Sequence, residues 1–118
     1  MATYQGSCHC GGIAFELEAE AITEAIDCNC SMCRKRGGLL AFFPRAALAL
    51  ATPESALGTY TFNRKQIRHH FCPACGISPF SEGVDPRSGA EMAAVNLRCL
   101  PELDLAALTV TPVDGASF

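Results

Sequence analysis

Apolar positions along this chain recur mostly at every second residue. Ile13, Phe15 and Leu17 alternate with Ala14, Glu16 and Glu18, the pattern of a strand with one buried face. Leu39 to Phe43 is a short apolar run that predicts a buried strand, closed by Pro44. Thr59 to Phe62 and Gln66 to Phe71 flank Asn63-Arg64-Lys65 and read as two strands with a hairpin connection. Ile77 to Ser81 follows Gly76, and Asp85-Pro86-Arg87-Ser88-Gly89 is a turn from which Glu91 to Leu97 leads away. Leu108 to Val113 is a last candidate strand. Helical pattern is thin: Pro44 to Leu50 and Pro101 to Ala107 have room for a turn or two, because Ala and Leu favour helix. The expectation is a mainly β domain with short helical connectors.

The chain has 118 residues and shows no linker, low-complexity tract or internal repeat, so one domain over residues 1–118 is expected. At 49% hydrophobic and 18% charged it reads as globular rather than disordered. A formal net charge of −3 argues against a nucleic-acid footprint, which needs a basic excess. The one dense basic run, Arg34-Lys35-Arg36, reads as local charge compensation, an anion contact or a solvated surface. The first residues lack a basic region followed by an apolar stretch, and the longest apolar runs stop well short of a membrane span. The expectation is a cytoplasmic protein with no membrane partner, in a compartment where clustered thiols bind metal more often than they form bridges.

Cysteine changes this picture most. Seven of the eight cysteines fall in three clusters: Cys8-His9-Cys10, Cys28-Asn29-Cys30-Ser31-Met32-Cys33 and Cys72-Pro73-Ala74-Cys75. Residues two or three apart reach each other poorly in disulfide geometry, but they can aim their sulfurs at one external point. A zinc ion there gathers thiolates at about 2.3 Å each and adds folding energy to a small β domain. Cys8 and Cys10 have strand spacing, which puts both sulfurs on one side, with His9 pointing away. Cys72 and Cys75 form a knuckle in which Gly76 permits the tight turn. Together the two pairs make a closed four-sulfur site, the structural kind.

Cys28, Cys30 and Cys33 supply only three ligands. Three protein ligands leave one position open, as catalytic zinc sites do. The alternatives are closure by Cys99 or by His9, His69 or His70, or a metal-free thiol cluster. Cys99 also reads as a small buried residue. By strand alternation His70 shares the face of Cys72 and His69 faces away; both read more readily as strand residues than as supports of a site. Asn96 either turns a polar group toward a site or ends a strand. An open zinc stabilises a thiolate and polarises a carbonyl, which suits joining a thiol to a small aldehyde. The alternatives are a non-enzymatic zinc-stabilised module that binds a protein or peptide, and a thiol redox or metal-handling protein.

The clusters in this order resemble the family of glutathione-dependent formaldehyde-activating enzymes, which also includes centromere protein V. The resemblance rests on Gly6-Ser7-Cys8-His9-Cys10-Gly11, Cys28-Asn29-Cys30-Ser31-Met32-Cys33-Arg34-Lys35, His70-Phe71-Cys72-Pro73-Ala74-Cys75-Gly76 and Val95-Asn96-Leu97-Arg98-Cys99-Leu100. It implies a fold related to that of methionine sulfoxide reductase B: mainly β, with small zinc-stabilised antiparallel sheets and few short helices. It also implies two zinc ions per chain. Cys8, Cys10, Cys72 and Cys75 match the ligands of a structural zinc, and Cys28, Cys30 and Cys33 those of a catalytic zinc. The implied activity is a carbon–sulfur lyase type: glutathione plus formaldehyde to S-hydroxymethylglutathione, or a related reaction of a small thiol with a small aldehyde.

Overall fold

Alternation of side chains across strands builds this molecule, as the computed structural model shows for residues 1–61 and 67–117. In chain order the strands are β1 (Ala2–Ser7), β2 (Ala14–Ala19), β3 (Glu24–Cys28), β4 (Leu40–Pro44), β5 (Leu48–Leu50), β6 (Gly58–Tyr60), β7 (Arg68–Phe71), β8 (Phe80–Val84), β9 (Glu91–Asn96) and β10 (Thr109–Val113). One α-helix, α1 (Ser31–Arg36), lies between β3 and β4, and short 3₁₀ turns fill other connections. The strands form a three-stranded sheet in the order β1-β2-β5 and a seven-stranded sheet in the order β10-β3-β4-β9-β8-β7-β6. Neighbours pair antiparallel except β3 and β10, which run parallel.

The sheets meet over one apolar cluster. In β2, Phe15, Leu17 and Ala19 are buried while Glu16 and Glu18 face out, as the alternation predicts. Phe15 meets Phe80 of β8 with ring centroids 5.9 Å apart, which joins the two sheets. A Cβ at Gly6 of β1 would lie inside the Phe15 ring, so glycine there lets the ring cover the strand. Burying a phenylalanine this completely stabilises by about 1.5–3 kcal/mol. Ala93 and Val95 of β9, with Leu97 and Leu100 just beyond, complete the core.

Several elements differ from expectation for physical reasons. Leu39 to Phe43 overlaps β4, which begins at Leu40 and includes Pro44, but the strand is only partly buried and Phe42 is 55% exposed. Leu40 and Phe42 face a cavity, whereas Ala41 and Phe43 pack against the core. Pro44 to Leu50 gives a 3₁₀ turn, Arg45–Ala47, and then β5 in place of helix. Pro101 to Ala107 gives a 3₁₀ turn at Leu105–Ala107, where the Asp104 carboxylate accepts from the Ala106 N–H at 3.1 Å. β1, β3 and α1 had no counterpart in the apolar pattern. The connection expected at Asn63-Arg64-Lys65, with Phe62 and Gln66, lies outside the described residues. No helix among the described residues is long and apolar enough to cross a membrane.

Candidate metal centres and the adjoining cavity

Two turns bring the first four cysteines together. β1 ends at Ser7, so Cys8 and Cys10 sit in the turn leading to β2 and not on a strand as their spacing suggested. The turn is closed by Cys8 N–H donating to the Ile13 carbonyl at 3.0 Å, and Ile13 N–H reaches the Cys8 sulfur at 3.3 Å. After β7, Cys72 to Gly76 makes the expected knuckle. Gly76 has a φ of +81°, its N–H donates to the Cys72 carbonyl at 2.7 Å, and Cys75 N–H points at the Cys72 sulfur at 3.5 Å. The four sulfurs lie within 4.8 Å of one another, with Cys8 to Cys10 at 3.8 Å and Cys10 to Cys72 at 3.5 Å. A tetrahedron with metal–sulfur bonds of about 2.3 Å has edges of about 3.8 Å, so the set fits a metal ion.

The thiols themselves point to a cation. The Ile77 N–H, with help from the Cys10 N–H, holds Cys75 down at about 6. For Cys8, burial opposes ionisation, but the Ile13 N–H and the neighbouring Cys10 and Cys72 sulfurs outweigh it and lower the pKa. The Gly12 N–H pulls Cys10 down, yet Cys72 and Cys8 together push it up to about 11. Sulfurs this crowded cannot all ionise without a positive charge between them.

The second cluster is built by a strand end and a helix start. Cys28 closes β3, Cys30 is the N-cap of α1, and Cys33 lies in its first turn. Cys33 N–H donates to the Cys30 sulfur at 3.3 Å and Cys30 N–H to the Cys28 sulfur at 3.5 Å. Gly37 ends the helix at φ +74° with its N–H on the Cys33 carbonyl at 2.9 Å. The three sulfurs lie within 4.8 Å of one another and could also hold a metal ion. Burial first, then Cys30 and Cys28, pushes Cys33 up to about 12.

The helix explains the basic run. Arg34, Lys35 and Arg36 occupy the last turn, where cations suit the helix dipole. Arg34 and Lys35 are exposed, but Arg36 turns inward. Burial lowers its pKa, against the pull of the Cys33 and Cys30 sulfurs, and it remains a cation.

None of the alternative fourth ligands joins the second cluster. Cys99 is buried beside the first cluster: burial, then the charges of Cys8 and Cys75, pushes it up to about 11. His9 is exposed in the β1–β2 turn. His70 is tied elsewhere, with Nε2–H donating to Glu82 at 2.7 Å and Nδ1 beside the Thr59 hydroxyl at 2.9 Å. His69 is the one that sequence reasoning undervalued. It is buried in the wall of a cavity of about 330 Å³ that also touches all three cysteines of the second cluster.

His69 Nδ1 lies 3.5 Å from an Arg36 nitrogen and 3.1 Å from the Ser81 hydroxyl. A guanidinium only donates, so Nδ1 accepts and the ring proton sits on Nε2. Burial first, then Arg36 and His70, lowers the His69 pKa and keeps the ring neutral. Asn96 meets both expectations at once. It ends β9 by accepting from Arg98 N–H at 3.1 Å, and it lines the cavity while donating to the Ser78 carbonyl at 3.2 Å. Asn29, between two of the cysteines, holds the segment after β10. Its side chain donates to Asp114 at 3.0 Å and accepts from Ala116 N–H at 3.0 Å, which seats Gly115 against Cys28.

The model of the family described as glutathione-dependent formaldehyde-activating enzyme matches residues 3–111. The chain belongs to that family. The match takes in both cysteine clusters, α1, His69 and Asn96, and ends before the segment that Asn29 holds. A crystal structure of a Rhodobacter sphaeroides protein, solved as a structural-genomics target, is similar over 92% of this chain and 97% of its own, at 31% identity and a TM-score of 0.77. The family's mainly β architecture is therefore shared across nearly the whole chain.

Proposed function

We propose that this chain is a zinc-dependent enzyme of carbon–sulfur lyase type acting on the adduct of a small thiol and a small aldehyde. The reaction that names the family, glutathione plus formaldehyde to S-hydroxymethylglutathione, is the reference case. The observation that carries this reading is the unequal pair of cysteine sets. Four sulfurs converge in one, while three converge in the other beside a cavity. Cys8, Cys10, Cys72 and Cys75 would hold a structural zinc, and Cys28, Cys30 and Cys33 a catalytic one. The eight unpaired cysteines suit a reducing compartment such as the cytoplasm.

A zinc ion bound by Cys28, Cys30 and Cys33 would supply Lewis acidity and favour the thiolate form of a thiol. The chain's own residues do the rest. In the forward direction the thiol sulfur attacks the carbonyl carbon. The S–C bond forms, the π pair of the carbonyl moves to oxygen, and the thiol proton ends on that oxygen. Lysis runs the same steps backward. Arg36 places a fixed positive charge in the wall where negative charge passes from sulfur to oxygen. His69 holds a proton on Nε2 and is itself held by Arg36 and Ser81 at Nδ1. The apolar wall limits water around the reacting atoms.

Cys30→Ser tests the reading, because Cys30 is both a proposed ligand and the cap of α1. Elemental analysis is expected to fall from two zinc per chain to one, with the circular dichroism spectrum retained. Adduct exchange measured by NMR is expected to fall to the uncatalysed rate. A fully active Cys30→Ser protein would refute the assignment. Activity in a wild-type chain carrying zinc only at the first cluster would do the same.

A further inference from the structure

The cavity beside Cys28, Cys30 and Cys33 has an apolar wall far larger than a one-carbon aldehyde needs. Ile26 and Leu40, paired across β3 and β4, supply part of it, with Phe42, Phe80 and Val113. Its volume of about 330 Å³ is at the small end of the range for small-molecule sites, about 300–1,000 Å³. Among the described residues no aspartate or glutamate lines it. Among the described residues the fixed charge in the wall is the half-buried Arg36 guanidinium, and their ion pairs all go to Glu82, none to Arg36. An ammonium group entering here would lose its hydration beside a like charge, with no carboxylate to replace the water. Glutathione carries such an ammonium and a largely polar body; Arg36 can meet one of its two carboxylates, but the apolar wall offers nothing to its ammonium. Val113 and Gly115 also lie beyond residue 111, where the family match ends, so the family model does not define that part of the wall.

Resting on the reading of the second cluster as the reaction centre, we propose that this cavity holds an apolar substrate body. The thiol, or its aldehyde adduct, carries an aromatic or branched aliphatic group and no ammonium. The sulfur lies toward the cysteines, and the apolar group fills the space between Ile26, Leu40, Phe42 and Phe80. Three thiolates around a divalent ion leave one net negative charge, which Arg36 offsets, so a neutral body suffices and no further ionic anchor is needed.

Isothermal titration calorimetry on the zinc-loaded chain tests this with benzyl mercaptan and glutathione as probes. Benzyl mercaptan is expected to bind at least about tenfold more tightly. Ala94→Phe puts a ring into the wall from β9, and it is expected to weaken benzyl mercaptan at least about tenfold and glutathione by clearly less. Leu40→Asn, which makes the wall polar without filling it, carries the same expectation should the larger residue impair folding. Tighter or equal binding of glutathione overturns the proposal, and so do equal losses for both thiols in the variants. A chain that prefers glutathione and turns over its formaldehyde adduct leaves the reaction centre standing while removing the apolar body. Binding of neither thiol, with two zinc ions counted per chain, removes both.

Discussion

Gly115 shows how closely single residues set the second cluster. A Cβ built on it would overlap the Cys28 sulfur and come within 3.3 Å of the Cys30 Cβ. Asn29 pins the surrounding backbone from both sides, through Asp114 and the Ala116 N–H, so the segment has little room to retreat. In Gly115→Ala the strain therefore falls on Cys28, the proposed ligand at the end of β3. The expected result is weaker retention of the proposed catalytic zinc: about tenfold in competition with a chromogenic chelator, the low end of the 10–100-fold that ligand-orienting contacts are worth. The first cluster should keep its ion. Equal zinc affinity in wild type and variant would mean that the segment moves freely.

Among the elements, Glu82 of β8 binds three neighbours together. Its carboxylate accepts from Arg45 Nε at 2.9 Å and Arg68 at 3.3 Å, and from His70 Nε2 at 2.7 Å. It thus joins β7 and β8 to the 3₁₀ turn after β4. Burial would raise its pKa, but the hydrogen bonds and charges of His70 and Arg45 win and lower it. A lowered pKa means that the unfolded chain takes up the proton first. The stability from Glu82 is therefore full above about pH 4.5 and is lost as pH falls through the lower folded value. Glu82→Gln is expected to cost about 2 kcal/mol at pH 7 in urea unfolding. The gap from wild type should narrow as pH drops from 5 toward 3. A gap that is constant with pH would show that the charge contributes nothing.

β2 was legible in the sequence because its two faces meet opposite environments, core and water. β4 was legible as a strand but not in its burial, since a cavity and a core look equally apolar from the sequence. α1, at six residues, is too short to display a period of 3.6, although Cys30 at its cap and Gly37 beyond its end mark both termini. The cysteine sets were legible because their spacing is local. The Arg36–His69–Ser81 contact was not, because it joins α1, β7 and β8 across 33 and 12 residues with no shared motif.

For the molecule as a whole, the two proposed zinc ions would have different work. The first ties the β1–β2 turn to the knuckle after β7, two connections 62 residues apart and on different sheets. Cys8 and Cys72 belong to the apolar core itself, so removing an ion held there would open the core. The second cluster has three half-exposed sulfurs and connects only β3 with the adjoining α1. Three ligands against four make its proposed zinc the easier one to remove. A chelator titration of the zinc-loaded chain is thus expected to proceed in two stages. The first equivalent of zinc leaves with all catalytic activity while far-ultraviolet circular dichroism is unchanged. The second leaves with cooperative unfolding, because a structural ion's binding energy is folding energy. Following released zinc, activity and dichroism on the same samples separates the stages. Unfolding that begins with the first equivalent would place the structural load on both clusters and remove this division of labour.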